Sequence, residues 1–488
     1  MSIPPAQAEA ATLLARLSGA APVETHISAV FVGRDTAWKL KKAVALGFLD
    51  FSAVDDRERF CRRELALNAP QAPGLYRDVV AITRGDDGAL RIGGDGPAVD
   101  WVLRMDPVPP ADFLDAVAAR GGLAPALLDA AADAVAAMHG AAERAAVDAP
   151  AALSRILEGN IPAARRAGLD AARVEAWAGA ARRELARIAP VLAARAAAGF
   201  VRRGHGDLHL GNLCLRAGRP VLFDALEFDE ALARIDVGYD LAFLLMDLDA
   251  RVGRDAANRV LNRYVARTGD AGLVAGLPLW LSLRAMIRAH VEATRQRDGA
   301  ALLAAAEAHL SPAAPRLVAI GGLQGTGKST LARALAPALG RCPGALVLRT
   351  DEARKRRFGV APEQRLPPEA YAPAVSAAVH EEVFDMAVAA LAGGQAVLLD
   401  AVFLDPTIRT RAAALAHAAG LRFDGLWLQA PLEVLRTRIA ARRDDASDAD
   451  EAVLLRAAAA DPGRIDWQRI DVTHDGEGAA RAALGKDA

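Results

Sequence analysis

The chain has 488 residues, 53% hydrophobic and 24% charged, with a formal net charge of −1. That length exceeds one hydrophobic core and predicts two or three domains. The near-zero charge gives no argument for a nucleic-acid or anionic-membrane partner, and the three distant cysteines (Cys61, Cys214, Cys342) exclude a disulfide framework or a thiolate metal cluster and fit a reducing compartment.

The opening MSIPPAQAEA lacks the basic and apolar regions of a signal peptide. No run of about 18 uninterrupted apolar residues follows, so a cytoplasmic protein without a membrane partner is expected. From about residue 20 to 105 the pattern is mixed. AVFVGRDTAWKL alternates in strand fashion around a turn at Gly33 to Asp35, DDRERFCRRELALN reads as a helix, RDVVAITRGDDGALRIGG as a hairpin and AVDWVLRM as a further strand. From Pro109 to about Gly199 nearly everything is Ala/Leu/Arg helix. The polar GHGDLHLGN interrupts it, RPVLFDALEF gives a short strand, and helices return from about Asp240 to His309. SPAAPR, residues 311–316, is a proline-marked linker. Beyond it RLVAIGG, ALVLRTD, QAVLLDAVF and FDGLWLQA alternate with helices, the signature of a parallel sheet with crossover helices. The expected organisation is an α+β domain over 1–310, with a β-rich lobe at about 20–105 and a helical lobe at about 106–310, then an α/β domain over 317–488.

In the second domain GLQGTGKS fits G-x-x-x-x-G-K-[ST], between an apolar strand and a helix. Gly322, Gly325, Thr326 and Gly327 offer backbone N–H groups to phosphate oxygens, at a helix N-terminus that favours negative charge. Lys328 would reach the terminal phosphates of ATP, Ser329 would ligate Mg²⁺, and Thr330 continues the motif. Asp351 and Asp400 end the second and third predicted strands, beside this loop. Asp351 is the candidate base for a substrate hydroxyl and Asp400 a candidate Mg²⁺ ligand. PLEVLRTRIAARRDD sets Arg438 and Arg442 four apart on one helix face, suited to a lid over transferred phosphate, or else to a solvated face paired with Asp444 and Asp445. Residues of roughly 316 to 488 resemble the small P-loop kinases that phosphorylate metabolites or nucleic-acid ends.

In HGDLHLGN the spacing from Asp207 to Asn212 equals that of the protein-kinase catalytic loop, where an aspartate faces the attacking hydroxyl and an asparagine the metal. Asp224 in LFDALEF takes the place of a second Mg²⁺ ligand, and His205 orients the loop. Upstream, TAWK matches the kinase strand that carries a phosphate-binding lysine: Lys39 fills that role, with Lys41 on the same face as a rival, and Glu64 is the natural ion-pair partner. Asp236 and Asp240 read as helix-start and loop-bracing groups. A metallophosphatase reading of His205, Asp207 and His209 lacks the further Gly-Asp and Gly-Asn-His clusters that such sites need.

HGDLHLGN, LFDALEF and DVGYDLAFL are similar to the aminoglycoside and choline/fructosamine phosphotransferase group, with its kinase-like fold. With the P-loop segment that follows, nearly the whole chain resembles the bifunctional aminoglycoside phosphotransferase/ATP-binding proteins. The resemblance implies a protein-kinase-like first domain, a P-loop kinase second domain, ATP and Mg²⁺ at both, and a small-molecule acceptor; the alternative is a P-loop kinase with a degenerate, regulatory or binding-only first domain. Two departures stand out: no glycine-rich loop precedes AWKLKK, and Leu226 replaces the glycine two residues after the metal-site aspartate. The late helix sets Arg284, Arg288 and Glu292 on one stripe, which suits an anionic acceptor if it faces a cleft and ordinary helix pairing if it faces water.

Overall fold

The structure is a computed structural model that describes residues 2–46, 49–441 and 446–485. Packing divides the chain into two compact units, Met1–Ala149 with Arg195–Leu244, and Pro150–Ala194 with Leu245–Ala488.

The first unit opens with α1 (Ala8–Ser18) and an antiparallel sheet of six strands: β1 (Val23–Glu24), β2 (Ser28–Val32), β3 (Ala37–Lys41), β4 (Tyr76–Arg84), β5 (Leu90–Ile92) and β6 (Ala98–Met105), in the order β1-β2-β3-β6-β4-β5. α2 (Val54–Asn68) lies between β3 and β4 in sequence. The period of two along each strand sorts the side chains onto two faces. Phe31, Leu40 and Val102 pack with Leu13 and Leu14 of α1. Ala37 and Leu103 pack in a second cluster that includes Leu65 of α2. Lys39 and Lys41 alternate with Leu40 and so stand on the α2 side, where Glu64 is fully buried.

Two helices, α3 (Leu114–Ala119) and α4 (Pro125–Ala141), follow, and α5 (Ala149–Arg166) and α6 (Ala171–Ala197) lead on to β7 (Val201–Arg203). The polar run 204–212 connects β7 to β8 (Leu213–Arg216), which forms a hairpin with β9 (Arg219–Leu222). After α7 (Glu230–Ala233), β10 (Arg234–Asp236) returns antiparallel to β7, and α8 (Val237–Arg251) begins with Asp240 in its first turn. The sequence predicts poor helix and poor strand for 204–212, and the backbone there is loop closing in a short 3-10 turn.

The second unit holds nearly all of α5 and α6 and the end of α8, together with α9 (Arg254–Thr268), α10 (Leu277–Thr294) and α11 (Ala300–His309). Trp177 Nε1 donates to Ser282 Oγ at 2.8 Å, and that hydroxyl donates to Ala306 O at 2.6 Å, tying α6, α10 and α11. The parallel sheet has five strands, β11 (Arg316–Gly322), β12 (Leu346–Arg349), β13 (Val397–Asp400), β14 (Arg422–Gln429) and β15 (Gln468–Asp471), in the order β12-β13-β11-β14-β15. Its connecting helices are α12 (Lys328–Leu335), α13 (Thr350–Arg357), α14 (Pro373–Ala392), α15 (Pro406–Ala418), α16 (Leu432–Ala441), α17 (Glu451–Ala459) and α18 (Gly476–Gly485). β11 runs through the centre, and its Val318 and Ile320 are fully buried against Leu331, Leu335 and Leu484. The chain leaves β11 toward β12 by passing over β13, so a crevice opens at the carboxyl ends of β11 and β13, the place where such sheets bind ligands. β15 is an addition to the four strands expected from apolar runs: in QRID only Ile470 is buried, too little for a strand signal. At the opposite edge, Asn258 and Asn262 of α9 donate to Ala345 O at 3.0 and 3.2 Å, and Asn262 Oδ1 accepts from Val347 N at 2.6 Å. Among the described residues no helix is long and apolar enough to cross a membrane.

Candidate active sites

The loop after β11 is shaped by glycine. Gly322 has φ 137°, and a Cβ there would lie 2.5 Å from Leu428 O. Gly327, at φ 85°, caps α12, so Lys328 and Ser329 begin that helix. Lys328 Nζ donates to Gly322 O at 2.8 Å and Leu323 O at 2.9 Å, folding over its own loop. Thr326 is buried and donates to Leu323 O at 2.7 Å.

Parallel register sets Ile320 beside Asp400, the last residue of β13. Ser329 Oγ donates to Asp400 Oδ2 at 2.5 Å, and Arg349 Nε reaches the same oxygen at 3.0 Å. A cavity of about 990 Å³ opens here, walled by Gly325, Gly327, Lys328, Ser329, Thr330, Asp351, Asp400 and Arg438. Asp351 differs from its expected place at a strand end. β12 stops at Arg349, and Asp351 stands in the first turn of α13, because TDEARKRR carries good helix formers directly after the strand. Burial raises its pKa above the ordinary carboxylate value, with Arg349 pulling the other way. Arg438 lines the cavity and donates to Val472 O at 2.8 Å. Arg442, Arg443, Asp444 and Asp445 lie outside the described residues. Asp448, which no sequence motif marks, also lines the cavity and accepts from Lys355 Nζ at 2.7 Å, Tyr371 Oη at 2.5 Å and Leu366 N at 2.9 Å. Hydroxyl and carboxylate oxygens at Ser329 and Asp400 are the hard donors that Mg²⁺ takes, and the glycine-shaped loop at a helix start suits a polyphosphate.

In the first unit, Lys39 Nζ lies 2.6 Å from Glu64 Oε1 and 2.5 Å from Asp224 Oδ1. Lys41 Nζ lies 2.7 Å from the other Glu64 oxygen and also pairs with Glu227. Both lysines therefore share Glu64, and the choice between them becomes a division of labour: Lys39 reaches Asp224, Lys41 does not. Burial disfavours every charge here. The Asp224 and Glu64 carboxylates outweigh it and raise the Lys39 pKa well above normal, while the two ammoniums outweigh it at Glu64 and hold that carboxyl at about 2. Asp224 lies two residues past β9 in the left-handed region, φ 61°, not in the strand. Its N–H donates to Tyr76 Oη at 3.0 Å, and the next N–H to Asn68 Oδ1 at 2.7 Å.

Asn212 Nδ2 donates to Asp207 O at 2.9 Å and Asp207 Oδ2 at 3.0 Å, so the five-residue spacing brings these two side chains together. Asp240 accepts from His205 N at 2.6 Å and Gly206 N at 3.0 Å, and lies 3.2 Å from His139 Nε2. His205 Nε2 is 2.9 Å from Phe223 O; a carbonyl only accepts, so this nitrogen carries the proton. Burial lowers the His205 pKa, in keeping with a neutral ring. His209, without assigned chemistry in the sequence, accepts from Gly211 N at 3.1 Å and stands 3.5 Å from Asp207 Oδ2. Asp236 pairs with Arg195 at 2.8 Å. On α10, Arg288 pairs along the helix with Glu292 at 3.1 Å, and Arg284 is buried, so the stripe is not uniformly solvated.

Residues 93–285 match the model of the phosphotransferase enzyme family, and residues 317–460 match that of an AAA domain. Uncharacterized proteins of Mycobacterium tuberculosis and Mycobacterium bovis are each 32% identical over 478 residues, covering 92% of this chain and 91% of theirs. Among solved structures, the chain is similar to a choline/ethanolamine kinase family protein from Mesorhizobium loti (13% identity, 62% of this chain and 93% of that one, TM-score 0.37). It is also similar to a gluconokinase from Sinorhizobium meliloti 1021 (21% identity, 35% of this chain and 90% of that one, TM-score 0.24). The two matched segments come in the same order as the two motif sets, and the mycobacterial likeness runs through both: the chain is a kinase-type phosphotransferase and belongs to the bifunctional aminoglycoside phosphotransferase/ATP-binding protein family, a kinase-like domain followed by a P-loop kinase domain.

Proposed function

We propose that the chain transfers the γ-phosphoryl group of ATP to the hydroxyl of a small-molecule acceptor, and that residues 1–310 and 317–488, joined by the linker 311–316, each hold ATP with Mg²⁺. The observation that carries this reading is the P-loop arrangement: Lys328, the Ser329–Asp400 pair and buried Asp351 on the wall of one cavity of about 990 Å³. Asp351 accepts the proton of the acceptor hydroxyl; the acceptor oxygen bonds to the γ-phosphorus as the bond to the bridging oxygen of ADP breaks. Lys328 holds the terminal phosphates through that exchange, and Ser329 and Asp400 are the metal ligands. Mg²⁺, when bound, supplies charge neutralisation on the phosphoryl oxygens. In the kinase-like site Asp207 is the corresponding base, Asn212 and Asp224 the metal ligands, and Lys39, positioned by Glu64, the phosphate ligand. Arg442 keeps its proposed role on the lid over transferred phosphate.

One observation favours a second reading, in which the first domain binds or regulates without turnover. Lys39 and Asp224, the groups that would meet nucleotide and metal, hold each other at 2.5 Å. A phosphorylation screen of a metabolite pool with γ-labelled ATP separates the two, comparing wild type, Lys328→Ala and Asp207→Ala. Two active sites predict that each variant loses a different subset of labelled products. If Asp207→Ala leaves every product intact, the second reading holds.

A further inference from the structure

Asp249, His309 and Cys342 have no part in either site. They come from three separate segments of the second unit: the last turn of α8, the final residue of α11, and the loop between α12 and β12. One ligand atom from each lies within 4.8 Å of the other two. Cys342 Sγ donates to Asp249 Oδ2 at 3.4 Å. A sulfur and a carboxylate oxygen bound to one tetrahedral ion, at about 2.3 and 2.0 Å from it, stand roughly 3.5 Å apart, so this pair is already at the spacing of two ligands of a common metal.

We propose that Asp249, His309 and Cys342 form a site for a divalent transition metal of the zinc class, distinct from the Mg²⁺ sites of phosphoryl transfer. The donor set decides the class. Mg²⁺ and Ca²⁺ take oxygen ligands, whereas one thiolate, one imidazole and one carboxylate suit a borderline ion such as Zn²⁺ or Co²⁺. Charge balances as well: a thiolate and a carboxylate neutralise a divalent ion, and the imidazole binds uncharged, so a half-buried site carries no net charge. Without metal, burial and the Asp249 carboxylate push the Cys342 thiol pKa up, with neighbouring Arg254 (which donates to Gly340 O at 2.7 Å) pulling the other way, so a bound ion would have to displace the thiol proton. Three protein ligands leave the fourth position to water or an exogenous group. Bound metal would fasten the ends of α8 and α11 to the loop that feeds β12, the strand that leads to Asp351.

The test is titration of metal-free full-length protein with Co²⁺ in the absence of nucleotide. The expected result is one Co²⁺ per chain with a thiolate-to-cobalt charge-transfer band and the strong visible bands of four-coordinate cobalt. Cys342→Ser should abolish the charge-transfer band, and His309→Gln should weaken Co²⁺ binding at least about 10-fold, the scale on which even outer-shell changes act. Zn²⁺ should displace Co²⁺ and raise the melting temperature of wild type. Absence of the band in wild type, or a band that survives in Cys342→Ser, overturns the proposal; Cys61 and Cys214 are present in every variant, and a surviving band would belong to them. Circular dichroism checks folding, and where Cys342→Ser does not fold, His309→Gln and Asp249→Asn carry the same decision: wild-type Co²⁺ affinity in both overturns the site.

Discussion

The phosphate-binding lysines of the two candidate sites are held by different contacts. In the kinase-like site the cations meet carboxylates: Lys39 and Lys41 share Glu64, and each holds a second acid, in a place where Glu64 is fully buried and Lys41 nearly so. In the P-loop site Lys328 rests on carbonyl oxygens of its own loop, and Ser329, Asp351 and Asp400 wall an open cavity. A carbonyl contact yields to a phosphate at small electrostatic cost. Lys39 must instead share or release a carboxylate, a contact in which both partners are charged. The P-loop site is therefore the better prepared of the two for a polyphosphate. Asp224 is the exchangeable partner in the other, since its side chain is 40% exposed where that of Glu64 is not exposed at all.

The largest effect is expected at the candidate base of the P-loop site. Asp351→Asn is expected to lower P-loop acceptor phosphorylation by about 10²–10⁴-fold, the usual worth of a positioned base, while nucleotide binding is retained; single-turnover transfer together with nucleotide titration checks this. Because burial raises the Asp351 pKa, its carboxyl stays protonated to higher pH than an ordinary aspartate. The acid limb of kcat/KM should then lie above about pH 4, and a profile that stays flat down to that pH would remove Asp351 as the base.

Lys328→Ala should cost about 10²–10³-fold in P-loop turnover, as for loss of one donor to developing charge. If it costs no more than Lys39→Ala costs the other site, the contrast in readiness between the sites is wrong. A third variant concerns stability. Lys41→Met leaves Glu227 and part of Glu64 buried without a counter-charge and should destabilise the fold by about 3–5 kcal/mol, measured by denaturant unfolding. Adding Glu227→Gln should recover a large part of that loss; equal losses in the single and double variants would mean that Lys41 acts through packing alone. The smallest effect is a pH dependence. With its folded pKa at about 2, below the unfolded value of about 4.3, Glu64 contributes stability that is full above the unfolded value and is lost as pH falls through the folded one. The stability gap between wild type and Glu64→Gln should therefore narrow as pH is lowered toward 2, and a gap that does not change with pH would show that the Glu64 charge is not what Lys39 and Lys41 hold.

What the sequence made legible is local. GLQGTGKS fixes the order of strand, loop and helix, and the spacing of Asp207 and Asn212 brings two side chains to one loop, because both are written within a few residues. The pairing of Lys39 with Glu64 was readable from the match of TAWK to the kinase strand motif and its helix glutamate, whereas strand alternation alone left Lys41 as a rival. Lys41 with Glu227, Arg349 with Asp400, and Asp448 with Lys355 and Tyr371 were not, since each joins segments whose approach is set by tertiary packing and leaves no periodic trace. Cys342 is the sharpest instance. Counting thiols weighs only a thiolate cluster, whereas the proposed mixed donor set needs one cysteine, and its histidine and aspartate come from helix ends distant in sequence. Asp351 stands two residues past the end of β12 because the helix-forming TDEARKRR follows Arg349 directly, without a side-chain cap to mark the change.

The asparagines of α9 have a consequence for how this chain could be divided. β12 is the outer strand of the parallel sheet, and Asn258 and Asn262 occupy backbone groups along its open side. Cutting the chain within residues 311–316 would free a P-loop fragment that keeps its nucleotide loop and loses that cover. The bare strand would then be a template for a strand of another copy, so the fragment would tend toward self-association, a tendency that α9 would hold in check in the intact chain.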